Sequence, residues 1–583
     1  MKKNGITMYY IPSDDFHGSE YVSGYFKSRE YISGFTGSAG EVIVTQDNAW
    51  LWTDGRYFIQ AEKQLSGTEY TLNRAGEPGV PGIKDFIPKH LDGGILGFDG
   101  RVVPAAFAEQ IEKSIGKEHM RTDLDLIGMI RTDRPALPSS KAYLLDEKYT
   151  GESRTEKIRR VRGFLERIKA DVLLLSTLDD ICWLLNVRGD DVEYNPVILS
   201  YLALTADKVV WFADRSKLPE DVISALDDIT IMPYDDFYGY ISSIPEKCTV
   251  YLDKKRLNSY AFSLIPEGAK KLNGTLPTTL FKCIKNDTEI KNMRHAHLKD
   301  GIALTKFIYR IKTEPAKYTE LSAAELVMSL RRSQPGYVSE SFTPIIAYAE
   351  HGAIVHYSAD ENSDVPLAAE SFVLCDTGGH YLDGTTDVTR TICLGKPTAE
   401  MKAAYTAVLR GNLCLSAAVF RHGARGANLD ILARMPVYEF GDDFNHGTGH
   451  GVGFLLNVHE GPNAVRSKIS GDPADSGCVF ESGMITSDEP GIYIEGSYGI
   501  RTENLILCKK LPETGYINDL LGFEVLTLAP YDPDAVEPSL MTDREIRLYN
   551  EYQQRVYREL SPYLDADEAK WLRNETRSIA KTI

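Results

Sequence analysis

No C-x-x-C pair occurs among the eight cysteines, which stand apart at positions 182, 248, 283, 375, 393, 414, 478 and 508. This scatter argues against a disulfide scaffold and fits a reducing compartment, so a cytoplasmic location is expected. No apolar run is long enough to span a bilayer. The opening MKKNGITMYYIPSDD lacks the apolar core and small-residue cleavage site of a secretory leader. The sequons at Asn273, Asn286 and Asn574 are therefore expected to be chance matches. Positive charge is in deficit, with 65 Lys and Arg against 83 Asp and Glu and a formal net charge of −18. That balance argues against nucleic acid or an anionic membrane as a partner.

Familiar catalytic signatures are also missing. There is no G-x-x-x-x-G-K-[ST] phosphate loop and no G-x-S-x-G nucleophile elbow. His459-Glu460 is followed by Gly-Pro-Asn, which is not H-E-x-x-H, and GTGHGVG carries Val452 where a dinucleotide fingerprint needs its last glycine. Nucleotide triphosphatase, serine hydrolase, zincin and Rossmann readings all lose ground.

A chain of 583 residues exceeds one hydrophobic core, and its 43% hydrophobic and 25% charged residues are ordinary for a globular protein. Residues 1–150 mix strand-like runs with Gly-rich turns. A second region, 151–286, opens with the capping box Ser153 to Glu156 and apolar residues at helical spacing. REYISGFTG followed by NAWLWTDGRYF has the layout of DDICWLLNVRG followed by DKVVWFADRSK, which suggests a duplication. Asn286, Asp287 and Thr288 offer N-caps for a long helix that opens a third region, 287–530. Pro-rich LAPYDPDAVEPS, residues 528–539, reads as a linker, and 531–583 as a helical extension with a second capping box at Thr542. The fold class expected is α/β (α+β).

The chemistry concentrates between residues 376 and 503. Asp376 ends an apolar strand and Asp387 begins another, after the turn DGTT. Glu489 ends a strand before Pro490, and Glu503 lies in the run IRTENLIL, two residues from Arg501 and on the same face of that strand. Carboxylates in apolar strands are costly unless paired or bound to metal. Two histidines, His446 and His450, stand four apart among the glycines of HGTGHGVG, which make a helix improbable there. Four carboxylates and one neutral imidazole would balance two divalent cations, and an oxygen-rich set with one nitrogen suits Mn²⁺, with Co²⁺, Zn²⁺ or Mg²⁺ also compatible.

Taken together, HGTGHGVG, the acidic pair in CDTGGHYLDGTTDVTRT, EPGIYIEGSYGIRTEN and NVHEGP resemble the motifs of the creatinase-like pita-bread metallopeptidases, in particular their three-domain aminopeptidase P type. The likeness extends to IPSDDFHGSEY, SGFTGSAGEVIVT and WTDGRYFIQAEKQL near the start. It implies two creatinase-N-like α/β domains, a pita-bread catalytic domain and a helical C-terminal tail. It implies that Asp376 chelates one metal, that Asp387 and Glu503 bridge both, and that His450 and Glu489 complete the second. Glu489 would serve as general base, His459 would assist at the scissile carbonyl, and His356, His446, Arg56 and Arg501 would contact the peptide, with Arg501 anchoring Glu503 or lining the pocket. His351 and His380 match no motif and are read as structural. The implied reaction removes the first residue from peptides with proline second, in a homodimeric enzyme. A prolidase, a methionine aminopeptidase and a non-catalytic binding protein of the same fold are the competing readings.

Overall fold

The computed structural model describes residues 1–467, 478–513 and 518–581. The chain divides into two compact units, one of residues 1–147 and 152–280, the other of residues 148–151 and 281–583. The class is α/β, as the sequence suggested.

The first unit contains two six-stranded sheets. In one, Met8–Pro12 is inner, with Glu41–Val44, Ala49–Thr53 and Tyr70–Arg74 in succession on one side and Leu96–Gly97 and Met120–Arg121 on the other. The first two pairings are antiparallel and the rest parallel. The second sheet repeats this order and these directions. Val172–Leu175 is inner, flanked by Ser200–Thr205, Val209–Ala213 and Thr230–Met232 on one side and by Thr249–Leu252 and Lys270–Asn273 on the other. The two Trp-bearing stretches matched in the sequence fall on the same strand of each sheet. Their inner strands read as continuous apolar runs because both faces are covered. Buried His17 joins the halves, with Nδ1 on the Ser176 carbonyl at 2.9 Å and Nε2 on the Tyr234 hydroxyl at 2.7 Å.

The second unit opens on the helix Asp287–Thr313, started by a complete capping box between Asn286 and Glu289. Its Leu304, Phe307, Ile308 and Ile311 pack on Val373, Cys375 and Ile392 of a three-stranded antiparallel sheet. That sheet is Ile345–Tyr348, Phe372–Thr377 and Val388–Cys393. A four-stranded sheet follows the order Val419–Arg421, Leu520–Val525, Asn504–Lys510 and Ile485–Asp488. Helices Ala399–Ser416 and Gly426–Phe440 cover apolar residues around it. The Glu503 amide donates to the Thr389 carbonyl at 3.0 Å, which sews the two sheets together.

The segment read as a linker is instead part of the core. Leu528, Tyr531, Ala535 and Val536 are buried with Tyr549, Tyr552 and Val556 of the helix Asp543–Leu560. Gln553 accepts from the Tyr531 amide and donates to its carbonyl. The prolines do mark turns there, but the apolar residues between them supply the burial. The tail helix, capped by Thr542 and Glu545 as expected, lies on the body of its own unit, where Arg410 pairs with Glu545 at 3.1 Å.

Candidate metal centre

The strand register brings the acidic residues to one place. Asp376 faces Thr389 across the antiparallel pair, so Asp387 lies just past the ladder's last pairing, Thr377 with Val388. In the other sheet Asp488 faces Asn504, so Glu489 and Glu503 emerge together where that pair of strands ends. The two-residue strand Gly449–His450 follows, and Gly451 bridges to Thr486. Ligand atoms of Asp376, Asp387 and Glu503 lie within 4.8 Å of one another, as do those of His450, Glu489 and Glu503 and those of Asp387, His450 and His459. Glu503, Asp387 and His450 are thus each common to two clusters.

None of the four glycines of HGTGHGVG has a positive φ, and three of them, Gly449, Gly451 and Gly453, serve close approach. A Cβ on Gly449 would meet the Ser487 carbonyl oxygen at 1.9 Å, and one on Gly451 the Glu460 carbonyl oxygen at 2.1 Å. The backbone they admit is that of the neighbouring strand and loop, which press His450 against Glu489.

Burial defines the electrostatics. Asp376, Asp387 and Glu503 are 9, 4 and 2% exposed. Burial, and then the other carboxylates, push Glu503 well above the usual range. Burial raises Glu489 despite the His450 charge, and raises Asp376 despite the Arg501 guanidinium. His450 moves the other way: burial opposes its charging, but the Asp387 hydrogen bond and the Glu489 charge prevail and lift it to about 9. The cluster therefore carries more negative charge than its own cations neutralise. One oxygen of Asp376, Oδ1, is buried without a hydrogen-bond partner among the described residues. His450 has Nδ1 on the Gly451 carbonyl at 2.9 Å, which directs Nε2 at Asp387 and Glu489, 3.4 and 3.6 Å away. An oxygen-rich set with one oriented imidazole nitrogen and an orphaned carboxylate oxygen fits divalent cations.

Hydroxyls and Arg390, none of them expected from the sequence, hold these groups. Thr389 donates to Glu503 Oε2 at 2.8 Å, and Ser487 Oγ accepts from the His450 amide at 2.9 Å and reaches Glu489 at 3.2 Å. The Tyr493 hydroxyl joins Arg501 Nη1 to His446 Nε2, at 2.8 Å to each. Fully buried Arg390 donates to the carbonyls of Glu503, Ala529 and Pro530, to Asn504 and to the Tyr552 hydroxyl.

Of the two roles expected for Arg501, anchoring Glu503 or lining the pocket, the first is corrected. Its guanidinium binds Asp376, not Glu503. The strand Tyr498–Arg501 ends there and a different strand begins at Asn504, yet both side chains reach the Thr389 hydroxyl, Arg501 Nε at 3.3 Å and Glu503 Oε2 at 2.8 Å. The His459 ring stands edge-on to His450, with centroids 4.4 Å apart. His356 is half-buried in the turn after Val355, whose carbonyl faces Arg501 Nη2 at 3.5 Å. Arg56 belongs to the first unit and pairs with Asp54 at 2.8 Å. His351 binds buried Glu320 at 2.9 Å, and His380 binds Thr385 at 2.9 Å.

Comparison with known proteins adds to this geometry. Residues 291–510 match metallopeptidase family M24, and residues 519–579 match the C-terminal region of peptidase M24. Residues 1–134 and 133–289 each match a creatinase/prolidase N-terminal domain. A probable Xaa-Pro aminopeptidase P of Coprinopsis cinerea is 37% identical, over 99% of this chain and 97% of that protein. Xaa-Pro aminopeptidase 1 of Dictyostelium discoideum is 36% identical, over 99% and 95%. The crystal structure of an X-prolyl aminopeptidase from Caenorhabditis elegans, described as a cytosolic enzyme with a di-nuclear active site, superposes with a TM-score of 0.93 at 34% identity, over 98% of this chain and 95% of that one.

Proposed function

Because the chain belongs to metallopeptidase family M24, matched through the region that holds the acidic cluster, we propose that it is a metal-dependent Xaa-Pro aminopeptidase. The observation that carries this reading is the pair of ligand clusters that meet at Glu503, in a chain similar over nearly its whole length to aminopeptidases of that name. Asp376 would hold one ion, Asp387 and Glu503 both, and His450 and Glu489 the other. Mn²⁺ is the proposed ion, with Co²⁺ or Zn²⁺ the alternatives. When bound, such a pair of ions polarises a carbonyl and supplies hydroxide at neutral pH.

The substrate sets the problem. An X-Pro bond has no N–H, so a peptidase that grips an extended backbone finds no donor there. Glu489 takes the proton of the attacking water on its carboxylate and delivers it to the proline nitrogen as the bond breaks. His459 donates to the oxygen that gains charge. Arg501 and Thr389 keep Asp376 and Glu503 fixed while this happens. His356 and His446 line the peptide's path, and Arg56 is retained as a peptide contact on the family resemblance alone.

The chain is read as four parts, residues 1–150, 151–286, 287–530 and 531–583, forming a homodimer in the cytoplasm. Among the described residues no helix is long and apolar enough to cross a membrane. A prolidase is the second reading, favoured by the shared site but opposed by the duplicated N-terminal sheet.

The test is to strip the protein with chelator, restore Mn²⁺ and offer Arg-Pro-Pro, Ala-Pro and Met-Ala peptides beside a Glu489→Ala variant. Loss of only the first residue from Arg-Pro-Pro, dependent on metal and absent in the variant, is the expected result. Cleavage of Ala-Pro alone would make it a prolidase, and cleavage of Met-Ala a methionine aminopeptidase. No turnover and no bound metal would leave a binding protein.

A further inference from the structure

Behind His459 lies a buried charge cluster that the reaction as described does not use. Glu460 pairs its carboxylate with two lysines. Lys285 Nζ binds Oε1, and Lys282 Nζ lies 3.4 Å from Oε2. The side chains of Glu460, Lys285 and Lys282 are 1, 1 and 3% exposed. A carboxylate so deep would be costly without these partners, and the lysines equally so without it.

The cluster is also a junction of backbone segments. The Glu460 amide donates to the carbonyl of Gly451, which follows His450, at 2.8 Å. The Gly451 amide donates in turn to Asn463 at 2.8 Å, on the far side of the same turn. Lys285 donates its amide to Gly483 at 2.9 Å, and Ile284 bridges to Met484, at the root of the strand that ends before Glu489. The lysines therefore grip the loop that carries His459 and brace it against the strand that delivers Glu489. His459 itself contacts the His450 ring edge-on.

We propose that Glu460, clamped by Lys282 and Lys285, is the positioning residue that fixes the His459 imidazole for proton donation. This rests on the reading of His459 given above. Glu460→Gln preserves shape and removes the charge that both lysines hold. A misplacement of about 1 Å at a reacting group costs on the order of 100-fold, so a fall in kcat of roughly tenfold to 100-fold is expected, with KM for Arg-Pro-Pro and bound Mn²⁺ unchanged.

The deciding measurement is a double-mutant cycle with His459→Ala. If Glu460 acts through His459, Glu460→Gln lowers kcat in the parent protein and has no further effect once His459 is gone. Lys285→Arg, which keeps the charge, should restore most of what Lys285→Met loses. Equal, additive losses in both backgrounds, or unchanged kcat in Glu460→Gln, would overturn the proposal. If Glu460→Gln does not fold, Lys282→Met, which leaves the Lys285 contact in place, takes its position in the same cycle under the same criteria. Full activity of His459→Ala would instead refute the role given to His459, an outcome distinct from additivity.

Discussion

Replacing Gly449 by alanine tests whether the glycines beside His450 are there to let strands touch. The added Cβ would lie 1.9 Å from the Ser487 carbonyl oxygen, whereas ordinary contact begins near 3.4 Å. The obstacle is backbone, so it cannot rotate away; the two strands must part by at least about 1 Å to restore normal packing. Ser487 holds the His450 amide and touches Glu489, so that parting separates the two residues assigned to one ion. Overpacking of this kind costs about 1–3 kcal/mol in stability, and a shift of about 1 Å at the centre about 100-fold in kcat. Gly447→Ala is the control, because its nearest neighbour would be the flexible Arg466 side chain at 3.6 Å. Both variants would be loaded with Mn²⁺ and assayed for kcat and KM on Arg-Pro-Pro, with bound metal and thermal unfolding measured in parallel. Gly449→Ala should be severely impaired and Gly447→Ala close to the parent. Indistinguishable activity in the two would refute the reasoning, since it would mean that the contact between these strands does not place the ligands.

Two other predictions concern stability. Burial holds His17 below the usual histidine range, with Asp15 and Asp191 partly opposing, Lys217 adding to the effect, and Tyr201 and Tyr234 packed around the ring. Its contribution is therefore fully present above the ordinary value of about 6.5 and lost as pH falls through the depressed one. The melting temperature of the parent should drop more steeply from neutral toward acid pH than that of His17→Gln, and equal slopes would count against it. Lys312 binds Asp532 at 2.9 Å and Glu575 at 2.5 Å in a site nearly closed to solvent, so Lys312→Met strands two buried carboxylates. The expected loss is about 3–5 kcal/mol in chemical denaturation, lessened where Glu575, raised by burial to about 7, takes up a proton; a change below 1 kcal/mol, the scale of an exposed pair, would show that the cluster does not anchor the tail.

Much of this arrangement was legible in the sequence, for physical reasons. A carboxylate inside an apolar strand violates the ordinary cost of burial, so Asp376, Asp387, Glu489 and Glu503 announced themselves. The helix starts at Asn286 and Thr542 carried complete capping boxes, which are local and need no tertiary context. Thr389, Ser487 and Tyr493 carried no such signal, because a hydroxyl in a strand is unremarkable until its partner across the fold is known. Of the two roles read for Arg501, anchoring Glu503 misses because its partner Asp376 ends a different strand, Phe372–Thr377, and spacing along IRTENLIL carries no information about that strand. The stretch 528–539 deceived for a related reason: proline and aspartate dominate its composition, while Tyr531 and Val536 decide its burial.

Arg390 gives the C-terminal appendage a stake in events far from its own surface. One guanidinium fastens the carbonyl of Glu503, the carbonyls of Ala529 and Pro530, and the hydroxyl of Tyr552 on the tail helix. The seam between the peptidase region and its appendage is thus one of description, not of mechanics. A chimera that paired this body with a foreign tail would strip the Arg390 guanidinium of its Tyr552 partner while leaving it on the Glu503 carbonyl, so the exchange would be felt at the acidic centre.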